Sequence, residues 1–112
     1  MKKFEIYYAD LSPAFGSEQG GLRPVVIVSN DVGNFHAPIV QIAPITSVVT
    51  KYRLPTHVYL DCNETGLKSN SIVVCEQIRT IDKKRLTDYV TTIHNKEIQN
   101  KINEAIKRSF AL

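Results

Sequence analysis

The chain has 112 residues, 43% of them apolar and 22% charged, with a formal net charge of +3 at pH 7 and a pI near 8.9. That length suits one domain, spanning 1–112, built round one core. The charge excess is a mild bias toward anionic partners, and no apolar run approaches the roughly 20 residues of a membrane span.

The N-terminus, Met1-Lys2-Lys3-Phe4-Glu5-Ile6, is basic at first, but Glu5 and Asp10 interrupt any secretory pattern, so cytoplasmic residence is expected. Residues 4–11 are rich in aromatic and branched side chains and predict a first strand, ended by Ser12-Pro13. A polar loop follows over 14–22, centred on Gly16-Ser17-Glu18-Gln19-Gly20-Gly21. Residues 24–29, with Val25-Val26-Ile27-Val28 at their centre, predict a buried strand. Asn30-Asp31-Val32-Gly33-Asn34 reads as a turn cluster. A third strand is expected over 38–44, a mixed basic stretch with Lys51 and Arg53 over 48–55, and an alternating strand over 56–60. Asn63-Glu64-Thr65-Gly66 reads as a turn, 71–80 as a longer strand, 82–86 as a short capped helix and 89–93 as a further strand.

The period then changes. Ile98, Ile102, Ile106 and Phe110 recur every four residues and predict an amphipathic helix over 96–110, with Asn95 as N-cap. Glu97 suits its positive end, and Lys107 and Arg108 its negative one. Short antiparallel strands with a terminal helix predict a mainly β (α+β) fold, a compact curved barrel capped by that helix.

Cys62 and Cys75 show no CxxC or Cys/His spacing, so neither zinc nor a disulfide is expected; Cys75, in Ile72-Val73-Val74-Cys75, reads as a buried apolar residue. The glycine loop lacks the Gly-Lys-Ser/Thr of a Walker motif and precedes a strand, unlike a dinucleotide fingerprint. Arg23 stands where the loop enters a strand. Its planar fork suits two phosphate oxygens, but an ion pair with Glu76 or Asp31 is an equal alternative. The Thr46 hydroxyl can donate to a phosphate or bond its own turn. Nothing in the order of His36, His57 and His94 brings two of them together.

Arg23 and Thr46 sit within a set of ordered segments. These are Ala9-Asp10-Leu11-Ser12-Pro13, Gly16-Ser17-Glu18-Gln19-Gly20-Gly21-Leu22-Arg23-Pro24, Val28-Ser29-Asn30-Asp31, Ala43-Pro44-Ile45-Thr46-Ser47, Leu54-Pro55-Thr56-His57-Val58 and Glu76-Gln77-Ile78-Arg79-Thr80-Ile81-Asp82-Lys83. Jointly they resemble the MazF/PemK family of toxin endoribonucleases, above all its Gram-positive chromosomal forms. One departure is Phe4-Glu5, where the family usually has Gly-Asp before the first strand.

The resemblance implies an SH3-like barrel with short connecting helices, a homodimer, and a type II toxin that cleaves single-stranded mRNA with sequence preference. It implies no metal or cofactor, 2′,3′-cyclic phosphate and 5′-hydroxyl ends, and inhibition by a MazE-type antitoxin lying across the RNA groove. The family's catalytic arginine and threonine fall on Arg23 and Thr46. Ser17, Gln19, Asn30, Glu76 and Gln77 fall in the RNA-binding set; Glu18 is a candidate for proton transfer or a loop contact. Lys3, Lys68 and Arg79, with Lys51 and Arg53, are candidate phosphate contacts. A gyrase-poisoning toxin of the CcdB type shares the barrel, so fold alone does not separate the two activities.

Overall fold

Alternating and β-branched runs become the strands of one antiparallel sheet in the computed structural model, which describes residues 1–47 and 54–112. Lys51 and Arg53 therefore lie outside the described residues. In chain order the strands are β1 (Glu5–Asp10), β2 (Leu22–Ile27), β3 (Ile39–Thr46), β4 (His57–Leu60), β5 (Ser71–Val74), β6 (Arg79–Asp82) and β7 (Leu86–Thr92). Their order across the sheet is β4-β5-β3-β2-β1-β7, with β6 also on β3.

The sheet has to curl. Across β3, β2 and β1, a flat sheet would hold β6 and β7 about 19 Å apart. The connection between them is the 3-10 turn Lys83–Arg85, and from Asp82 to Leu86 the chain reaches at most about 14 Å. The Arg85 guanidinium donates to the carbonyls of Asp10 (3.0 Å) and Ser12 (2.8 Å), tying this turn to the end of β1. The result is the small helix-capped β barrel that the strand pattern predicts.

Strand alternation divides the core. Ala9, Leu11, Val25, Ile27, Val40, Ile42 and Ile81 fill one side of the sheet. Ile6, Val26, Ala43 and Ile45 face the other, where Val58, Leu60 and Val73 join them. The final helix, α3 (Lys96–Ser109), covers this second cluster with Ile98, Ile102 and Ala105. Asn95 caps it as predicted, its side chain accepting from the Ile98 N–H at 3.1 Å. The apolar stripe ends sooner than the periodicity suggests, since Phe110 is exposed.

The structure corrects several sequence expectations. The Asn30–Asn34 cluster is not a turn but the start of a helix, α1 (Asp31–His36), because the Asn30 side chain caps the Gly33 N–H at 2.7 Å. The Asn63–Gly66 turn is a one-turn helix, α2 (Cys62–Thr65), ended by Gly66 at φ 81°. The second strand begins two residues early, so Arg23 and Pro24 lie inside β2. Phe4, where the resembling family carries glycine, adopts a left-handed φ of 74°. Its N–H donates to the Ile27 carbonyl (2.8 Å) and its carbonyl accepts from Ile93 (3.0 Å), which hold that conformation in place.

The expected strand over 71–80 is broken at the 3-10 turn Cys75–Gln77. Ile45 pairs with Val73, and Ile42 with Arg79, so the register along β3 steps by three residues between β5 and β6. The turn is an insertion that pushes Glu76 and Gln77 out of the ladder.

Candidate active site

The β2–β3 register runs toward Arg23 on one strand and Thr46 on the other. Arg23 lies beside Ala9 of β1, and Val25 pairs with Pro44 of β3. Continued by two residues, that register sets Arg23 opposite Thr46 on the same side of the sheet. Thr46 ends β3, pairs with Ile72 of β5 and is partly buried, as is Arg23. Neither carboxylate considered for Arg23 is its partner. Its Nε–H donates to the Gly20 carbonyl at 2.8 Å and its Nη1 to the Gln19 side-chain oxygen. Two of the guanidinium's five N–H donors are thus directed by the glycine loop.

That loop is closed at its base by a bond from Leu11 N–H to the Gly21 carbonyl (3.0 Å), with Gly21 at a φ of 73° that favours glycine. At its tip the Glu18 carboxylate accepts from Phe15 N–H at 2.6 Å. The loop and the Cys75–Gln77 turn form the two walls of a groove of about 710 Å³. Phe15, Ser17, Glu18 and Gln19 line one wall, and Glu76 and Gln77 the other, with Pro44 and Arg79 between. Arg79 donates to the Leu11 carbonyl at 3.2 Å. Gln77 spans the groove: its amide oxygen accepts from Gln19 N–H at 2.7 Å and its amide nitrogen donates to the Ser17 carbonyl at 3.1 Å. Of the predicted set, Ser17, Glu18, Gln19, Glu76 and Gln77 meet here, with Arg23 linked through Gln19.

Other candidates fall elsewhere. Asn30 caps α1 beyond the opposite end of β2 from Arg23. The Lys3 ammonium bonds the Asn103 side chain of α3 at 2.9 Å and stands 5.0 Å above the Phe4 ring. Lys68 is exposed between α2 and β5, outside the groove lining. A larger cavity of about 800 Å³ between β4 and α3 contains none of the predicted site residues. Among the described residues no cluster of His, Cys, Asp and Glu is arranged to hold a metal ion.

The match to known proteins is complete in length. Residues 2–110 fit the family model described as "PemK-like, MazF-like toxin of type II toxin-antitoxin system". The chain belongs to this family. It is 47% identical over 112 residues to the endoribonuclease EndoA of Bacillus subtilis, covering 100% of this chain and 96% of that protein. It is 45% identical to the endoribonuclease MazF of Staphylococcus saprophyticus, covering 100% of this chain and 92% of that one. The fold matches a mycobacterial endoribonuclease solved in complex with its cognate antitoxin, with a TM-score of 0.80, 27% identity and coverage of 100% and 96% of the two chains.

In this MazF-like toxin Glu76 has partners that sequence reading did not identify. Its two carboxylate oxygens take hydrogen bonds from Thr56 Oγ1 and His57 Nε2, each at 2.9 Å. Partial burial pushes the Glu76 carboxyl up, but its own backbone N–H, His57 and Thr56 outweigh that and hold it below the usual range. The His57 Nδ1 accepts from Leu54 N–H at 3.3 Å, which suits the tautomer that donates from Nε2. Phe15, not singled out from the sequence, also lines the groove and is exposed there.

Proposed function

We propose that this MazF-like toxin is a metal-independent endoribonuclease that cleaves single-stranded mRNA with sequence preference, with Arg23 and Thr46 as its catalytic pair. The observation that carries the reading is the Arg23 guanidinium, held by Gly20 and Gln19 of the glycine loop, on a strand whose register with β3 continues toward Thr46. The names of the curated relatives, both endoribonucleases, support it.

In the proposed reaction the 2′-oxygen attacks the adjacent phosphorus and the P–O5′ bond breaks. The 2′-hydroxyl proton leaves to a base and the 5′-oxygen takes a proton, giving a 2′,3′-cyclic phosphate and a 5′-hydroxyl. Arg23 stabilises charge developing on the nonbridging oxygens, a contribution of several kcal/mol for a preorganised donor. Thr46 donates to a second oxygen and fixes the phosphate's orientation. Glu18, on the groove wall, is the proposed aid to proton transfer at the 2′-hydroxyl. Ser17, Gln19 and Glu76 contact the RNA along the groove. Asn30 reaches RNA only where the strand extends past the far end of β2.

The toxin acts as a homodimer and is neutralised by a MazE-type antitoxin; the mycobacterial neighbour's complex with its antitoxin supports that partner. Among the described residues no helix is long and apolar enough to cross a membrane, and cytoplasmic residence is part of the proposal. The test is a mixed RNA pool incubated with purified protein and EDTA, followed by end mapping. Cleavage with cyclic-phosphate and 5′-hydroxyl ends supports the reading. No cleavage, or 5′-phosphate ends, refutes it.

A further inference from the structure

We propose that Gln77 is a positioning residue, setting the direction of the Arg23 guanidinium through the glycine loop; this rests on the catalytic role proposed for Arg23. Three links make the connection. The Gln77 amide clips the loop backbone at two points, Gln19 N–H and the Ser17 carbonyl. The clipped residue, Gln19, holds Arg23 Nη1 with its side chain, and the next residue, Gly20, holds Arg23 Nε with its carbonyl. Arg23 is therefore aimed by acceptors whose place depends on a side chain 54 positions further along the chain.

The rest of the loop offers little that would hold those acceptors. The Phe15–Glu18 bonds are internal to the loop, and the Leu11–Gly21 bond closes only its base. Gly16 and Gly21 take left-handed φ values of 56° and 73°, with no neighbouring atom within 4 Å of where a Cβ would stand. Among the described residues, Gln77 supplies the hydrogen bonds that join residues 17–19 to the opposite wall. Each end of its amide makes one bond in this clip, so in the free protein the side chain orients the loop and keeps one N–H and one lone pair for a further contact. The Cys75–Gln77 insertion in the β5–β6 run has a role on this account: it carries Gln77 out of the ladder to reach the loop.

The test combines turnover with a readout of Arg23 that needs no RNA. In the free protein the Arg23 Nε–H, bonded to Gly20, is followed by 15N NMR in wild type, Gln77→Ala and Gln19→Ala. Gln77→Ala is expected to shift or broaden that resonance while backbone amides outside the loop keep their positions. It lowers kcat about 100-fold, the scale of a catalytic group misplaced by about 1 Å, and changes KM by less than about threefold. In an Arg23→Ala background it lowers the residual rate no further. Gln19→Ala, which cuts the chain one link nearer Arg23, moves the resonance and lowers kcat alike while raising KM through its own lost RNA contact. Gln77→Met, which keeps the length of the side chain and removes both amide bonds, gives the same effects as Gln77→Ala and serves if that variant fails to fold. An unmoved Arg23 resonance overturns the proposal, as does a rise in KM at constant kcat, which would make Gln77 an RNA contact alone. Absence of cleavage by wild type sinks the catalytic reading, while the resonance still decides the structural link.

Discussion

Gly20→Ala perturbs the candidate centre without removing any functional group. A Cβ added at Gly20 would stand 2.6 Å from the Ala14 Cβ. Carbon atoms rest at about 3.8 Å, so the loop must give by about 1.2 Å. The Gly20 carbonyl lies 2.8 Å from Arg23 Nε, and a displacement of that size carries it past the roughly 3.2 Å limit of a good N–H···O bond. Arg23 loses its aim, and kcat falls about 100-fold at saturating RNA. Stability changes by less than about 0.5 kcal/mol, because the exposed loop moves in place of the core. Removing the opposing methyl restores the space, so Ala14→Gly with Gly20→Ala recovers most of the lost rate. The assay is initial velocity on a fluorogenic oligonucleotide, with melting temperature as control. Wild-type turnover in Gly20→Ala, or a double variant as slow as the single, refutes the reasoning.

Three further outcomes follow from the core and the titrating groups. Ile102, fully buried under α3 against the sheet, costs about 2–5 kcal/mol as Ile102→Ala in urea unfolding; a loss below about 1 kcal/mol contradicts the packing described. Burial pushes the Cys75 thiol up to about 12, so iodoacetamide at pH 8 labels Cys62 and spares Cys75 until the chain unfolds. Cys75 has its full stabilising effect below its unfolded pKa of about 8.5, and that contribution is lost as pH rises toward about 12. The lowered Glu76 pKa runs the other way: its stabilisation is present above about pH 4.3 and fades as pH falls. Glu76→Gln therefore costs up to about 1 kcal/mol at pH 7, small because the group is partly exposed, and the difference between the two proteins narrows as pH falls below about 4.3.

The sequence disclosed what is local and periodic. Ile98, Ile102 and Ile106 mark α3, and Asn95 marks its start, because a helix writes its buried face into four-residue spacing. The Asn30–Asn34 run hid α1, since Asn, Asp and Gly are turn residues by composition and only the Asn30 cap makes a six-residue helix of them. The break at Cys75–Gln77 carries no glycine or proline, so nothing in the run 71–80 announces it; the three-residue register step that it makes is a property of pairing with β3. Arg23 and Thr46 were legible as a pair only through family resemblance, because their proximity depends on the β2–β3 register. The Gln77 clip was illegible for the same reason, joining residues 58 and 60 positions apart. Lys3 showed the converse, a basic residue near the candidate strand in sequence that the fold turns toward α3.

The central claim is that RNA cleavage depends on the guanidinium of Arg23. Single-turnover cleavage of one oligonucleotide by wild type and Arg23→Ala, in EDTA and with enzyme in excess, tests it most directly. The account predicts a loss of about 100- to 1,000-fold in the rate of the chemical step, the scale for removing one preorganised transition-state donor, with the fold intact by melting. Cleavage by Arg23→Ala at the wild-type rate would contradict it.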